Sequence, residues 1–130
     1  MRATPDLPGD LLALAREDLA AAGALDREER VSDAPVGFHA QQAVEKALKA
    51  AIASRDQDFP FTHDIGLLMQ LCQDAGFKLP ADLTEADRLT PYAATIRYGL
   101  GDPGAVPSPD ALHWAALAIE WVESELRSDS

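Results

Sequence analysis

Four side chains of this sequence have the chemistry and spacing to make a polar site: Gln42, Lys46, His63 and Arg97. Gln42 and Lys46 belong to the string Phe38-His39-Ala40-Gln41-Gln42-Ala43-Val44-Glu45-Lys46-Ala47-Leu48-Lys49-Ala50. There Gln42, Glu45, Lys46 and Lys49 recur at three- and four-residue steps, which places them on one side of a helix. A solvated helix rarely needs two adjacent glutamines beside a Glu-Lys pair, so this face is more specified than a plain surface. His63 stands in Thr62-His63-Asp64-Ile65. It either bridges to a neighbouring helix or points into a polar cleft near Gln42 and Lys46. Arg97 and Tyr98 close a long helical stretch and open onto a Gly/Pro-rich loop. Arg97 either satisfies the last helix carbonyls or forms an anion site. A guanidinium grips phosphate bidentately, and a neighbouring ring such as Tyr98 stacks on a base.

Other reactive residue types point to less. His39 lies one residue before an apolar stripe and reads as a surface or capping histidine. No H-x-x-x-H and no Cys/His cluster occurs, so no metal site and no cofactor is expected. Cys72 falls on the apolar side of a helix and reads as a small buried hydrophobe. The glycines at 99, 101 and 104 follow no strand, so they are no dinucleotide fingerprint.

Helices must position these groups. A first helix is expected from about Asp6 to Ala22, with Gly23 at its end and Leu12, Ala15, Leu19 and Ala22 on one face. The second runs from about Pro35 to Ser54, with Ala40, Val44, Ala47, Leu48, Ala51 and Ile52 as its apolar stripe. Thr62 is the expected cap of a third helix, which Gly76 stops. A fourth spans about Ala81 to Tyr98, kinked or split at Pro91, which lacks a backbone donor. Residues 99–107 form a loop. The last helix starts at Ser108-Pro109-Asp110, with Leu112, Ala115, Ile119, Val122 and Leu126 facing inward. Trp114, Leu117 and Trp121 make a second apolar stripe nearly opposite, as expected of a helix that is central or shared with a partner. Trp114, Leu117 and Trp121 are therefore the expected dimer contact. The pattern predicts an all-α fold, an antiparallel up-and-down bundle of four to five helices.

Bulk properties agree. The 130 residues suit one domain, and an apolar content of 47% is high for a disordered chain. No apolar run approaches the roughly 20 residues that cross a bilayer, and residues 1–6 lack a signal-peptide core. A lone cysteine forms no internal disulfide, which fits a reducing cytoplasm. The net charge of −11 disfavours general attraction to phosphate backbones. Arg97 stands out as a positive charge in an acidic C-terminal stretch.

Together, the Gln-Gln-x-x-Glu-Lys-x-x-Lys string, Thr62-His63-Asp64-Ile65 and Arg97-Tyr98 resemble the HEPN domain (higher eukaryotes and prokaryotes nucleotide-binding) over nearly the whole chain, 1–130. The resemblance implies a helical bundle that commonly dimerises and is often encoded beside a minimal nucleotidyltransferase, as a toxin–antitoxin-like pair. The candidate nucleotide-binding residues are Gln42, Lys46, His63, Arg97 and Tyr98. Many members are metal-independent ribonucleases, whose arginine is followed after four to six residues by a histidine. Here that window after Arg97 falls on Asp102, Pro103 and Gly104. The next imidazole is His113, after fifteen intervening residues. Catalysis on RNA would therefore need Arg97 to meet His113 or His63. A nucleotide-binding interaction module is the first expectation, such a ribonuclease the second, and a ligand-free helical module the third.

Overall fold

The computed structural model describes residues 6–94 and 106–128. Their elements are α1 (Leu7–Asp26), α2 (Asp33–Ser54), α3 (Ile65–Asp74), a 3-10 helix (Ala81–Leu89) and α4 (Ser108–Ser128). No strand occurs among the described residues. The fold is an all-α bundle, as the periodicity predicts.

α2 is the axis of the bundle. It packs against α1, α3, the 3-10 helix and α4. All six residues of its predicted stripe are buried, and burial extends further, to Val36, Gly37, Ala43 and Ala50. The alanines matter here, because the distance between packed helices is set by the side chains at their contact. Gly37 makes the closest approach. A Cβ there would lie 2.4 Å from the ring of Tyr92, which is wholly buried. The Tyr92 hydroxyl accepts a hydrogen bond from the Val106 amide at 3.1 Å.

Helix ends depart from expectation in readable ways. Asp6 caps α1 by accepting from the Gly9 amide at 3.0 Å. The helix then passes through Gly23 to Asp26 instead of stopping near Ala22. A helical glycine costs about 1 kcal/mol relative to alanine, and the packing of α1 on α2 offsets it. Asp64, not Thr62, caps α3, accepting from the Leu67 amide at 3.3 Å. Thr62 instead accepts from the Asp64 amide at 3.1 Å and shapes the approach to the helix. α3 ends at Asp74, and Gly76 follows at φ 96°, a left-handed conformation that favours glycine.

The stretch from Ala81 is not the single α-helix expected. Leu83, Ala86 and Leu89 are buried at every third residue, which matches the three-residue turn of a 3-10 helix. The element ends before Pro91, where the missing donor breaks it. The expected remainder of that helix from Thr95 to Tyr98, Arg97 included, and the loop over 99–105 lie outside the described residues.

α4 is rotated relative to its predicted stripe. Ala111, Trp114, Ala115, Ala118, Ile119 and Val122 are buried, whereas Leu112 and Leu126 are only half-buried. Of the stripe expected to meet a second copy, Trp114 lies in the chain's own core at 6% exposure. Leu117 and Trp121 are half-buried against that core, Trp121 edge-on to Phe77 with ring centroids 5.6 Å apart.

Candidate functional site

α2 carries a polar line through the middle of this apolar bundle. Gln41, Glu45 and Lys49 follow one another at four-residue steps and are all buried. Glu45 is their centre. Its carboxylate accepts from Gln41 Nε2 at 3.0 Å, from Lys49 Nζ at 2.9 Å and from His63 Nδ1 at 2.8 Å. Gln41 also donates to the His63 backbone carbonyl at 3.1 Å, so one amide ties the histidine's main chain while Glu45 ties its ring. Gln42 donates to Gln41 Oε1 at 2.6 Å and joins the same network. Lys49 lies over the Phe59 ring, 5.4 Å from its centroid.

Burial pushes the Glu45 carboxyl up. Hydrogen bonds from Lys49, Gln41 and His63, with the Lys49 charge, outweigh it and leave the group below the ordinary glutamate value. Glu45 is thus held in its ionised form at neutral pH and can only accept hydrogen bonds. Because Glu45 only accepts, the His63 nitrogen beside it must carry the proton. The neutral imidazole then presents an unprotonated Nε2. The His63 side chain is 49% exposed while that of Glu45 is 6% exposed, so a buried carboxylate orients an open ring. Phe61 meets that ring edge-on, with centroids 5.9 Å apart, and is itself 97% exposed.

Of the residues predicted to share one wall, Gln42 and His63 do meet through Gln41 and Glu45. Lys46 does not join them. It donates to Asp18 of α1, whose carboxylate also meets His39 Nδ1 at 3.2 Å. A helix turns about 100° per residue, so Lys46 stands beside the Glu45 line rather than on it. Arg97 and Tyr98 lie outside the described residues. His113 is exposed on α4. The predicted wall omits Gln41, Glu45 and Lys49, although their repeat at four-residue steps is visible in the sequence. Nothing in the local pattern marks Phe61.

Among the described residues no group of three or more His, Cys, Asp or Glu side chains is placed to hold a metal ion. No described helix is long and apolar enough to cross a membrane. Cys72 is buried, its thiol pushed up to about 12 by that burial, so it offers no ready nucleophile.

The strings that build this site, Phe38 to Ala50 and Thr62 to Ile65, are the ones that resemble the HEPN domain. The sequence profile of that domain matches residues 9–125, and the chain belongs to the HEPN family. It is therefore a helical module of the nucleotide-interacting or RNase type. The chain is similar in structure to TT1696 from Thermus thermophilus, known from a crystal structure. The TM-score is 0.67 at 28% identity, covering 93% of this chain and 99% of that one. No curated protein matches it in sequence.

Proposed function

We propose that this chain is a nucleotide-binding and interaction module that works as a homodimer beside a minimal nucleotidyltransferase, in a toxin–antitoxin-like pair. The observation that carries the binding half is the Glu45 network. A carboxylate with three donors, buried in the bundle, fixes the half-exposed His63 and ties Gln42 to it through Gln41. Such preorganisation costs a bundle desolvation and returns no apolar packing, which suits a binding site better than a scaffold. Arg97 and Tyr98, outside the described residues, belong to the same proposed wall as an anion-gripping guanidinium and a stacking ring. Lys46, tied to Asp18, is the weakest member. Leu117 and Trp121 supply the exposed part of the proposed dimer contact. The test is a thermal shift of the full chain with nucleoside monophosphates and triphosphates, together with co-elution of the chain and a genomically adjacent nucleotidyltransferase. Stabilisation and co-elution support the reading. A chain that ignores nucleotides and elutes alone as a monomer sinks it.

A second reading is a metal-independent ribonuclease using Arg97 with His63 or His113. The Glu45–His63 pair favours His63 as the base, because it leaves Nε2 free to take a proton from a 2′-hydroxyl. RNA cleavage lost in both Arg97→Ala and His63→Ala supports it. Activity that survives His63→Ala and fails with His113→Ala moves the base to His113.

A further inference from the structure

We infer that Phe61 and His63 form the base-recognising end of the proposed nucleotide site, taking a nucleobase that stacks on the Phe61 ring and presents an N–H to His63 Nε2. The inference rests on the nucleotide-binding reading above and names the part of the ligand that this surface holds.

Three observations carry it. First, the tautomer is set from inside the fold. Glu45 is 4% exposed and accepts from Lys49, Gln41 and His63 at once, so the outward Nε2 of the neutral ring is an acceptor. Second, Phe61 leaves nearly its whole ring in solvent, at 97% exposure, two residues from that acceptor. Its centroid lies 5.9 Å from that of the imidazole, at 64° between planes, so its exposed π surface stands beside the histidine ring. Unpaired bases are held in this way, by a ring on their face and a hydrogen bond on their edge. Third, among the described residues both lysines of the α2 string are already engaged. Lys49 is paired with Glu45 and lies over Phe59, and Lys46 is paired with Asp18. With those two charges neutralised and a net charge of −11 on the chain, the described part of this surface suits the uncharged base better than the phosphate.

The test is a titration of the full chain, followed by NMR, with AMP, ribose 5-phosphate and N6,N6-dimethyl-AMP. Imidazole nitrogen shifts of the free protein report the tautomer directly, and in the neutral ring Nδ1 should carry the proton and Nε2 should not. AMP should shift the resonances of His63 and Phe61. Phe61→Ala should weaken AMP about tenfold, the size expected for one stacked base. Dimethylation removes both N6 hydrogens, the only N–H donors of the base, and should also weaken binding. Ribose 5-phosphate should leave both resonances in place. Ribose 5-phosphate binding as well as AMP overturns the inference in favour of a phosphate site. AMP binding unchanged by Phe61→Ala also overturns it, and leaves nucleotide binding standing elsewhere on the chain. If Phe61→Ala instead abolishes self-association in sedimentation and spares AMP, Phe61 is a contact between copies and the inference fails. No response to any nucleotide removes the broader reading along with this one.

Discussion

Helix α2 holds the same three groups twice. On one flank Glu45 binds His63 and Lys49, and on the other Asp18 of α1 binds His39 and Lys46. A phenylalanine stands edge-on to each histidine, Phe61 to His63 and Phe38 to His39. The difference lies in which member is buried. At the Glu45 cluster the carboxylate is 6% exposed, its lysine 11% and its histidine 49%. At the Asp18 cluster the carboxylate is 14% exposed, with the lysine at 25% and the histidine at 31%. One cluster is therefore sharply graded, with a fixed charge inside and an open ring outside. The other is an evenly half-buried clasp between α1 and α2. Identical chemistry becomes a site in one place and a fastener in the other, and depth in the fold decides which.

Removing each carboxylate tests this most strongly. Glu45→Ala strands Lys49 and Gln41 in the bundle and should cost about 3–5 kcal/mol, the penalty for breaking a buried pair. Asp18→Ala frees two partners that water already reaches and should cost about 1 kcal/mol. Urea unfolding followed by circular dichroism reads both, and equal losses would erase the distinction. Acid sharpens it next. The Glu45 carboxyl sits below its ordinary value in the folded chain because its three donors and the Lys49 charge outweigh burial. A depressed carboxyl stabilises the fold above its unfolded pKa, and that contribution disappears as pH falls through the folded value. Stability should therefore decline as the solution is acidified below about pH 4.5, the ordinary value. Glu45→Gln should flatten that decline. A decline that persists in Glu45→Gln would assign it to other carboxylates.

How much of this was legible in the sequence follows from the same geometry. The stripe of α2 could be read because its apolar residues recur at helical steps, and the family strings could be read because they are local. Gln42 and Lys46 find different partners for a physical reason. Four residues apart they are neighbours on a helix surface, but α1 and the loop before α3 approach different flanks and divide them. That Glu45 is buried could not be read either, since a Glu-Lys pair at four-residue spacing looks the same on a solvated face. The break at Pro91 was visible as a missing donor. The 3-10 turn before it was visible only as the three-residue recurrence of Leu83, Ala86 and Leu89, which an α-helical reading passes over.

The histidines should separate less widely than the carboxylates. His63→Ala removes one of three donors from a buried charge and should cost about 1 kcal/mol, while His39→Ala should cost about half that. Smallest of all is Phe61→Ala. A ring at 97% exposure buries almost nothing, so its loss should change stability by no more than about 0.5 kcal/mol. Phe38→Ala, at the half-buried ring of the other cluster, should cost more, about 1 kcal/mol. Thermal midpoints of the two variants compare them directly. A midpoint for Phe61→Ala close to that of the parent chain means that folding does not account for an aromatic ring at this position. Its reason must then lie in what touches the surface beside His63. A fall as large as that of Phe38→Ala would show Phe61 packed after all, and the two clusters would differ in degree only.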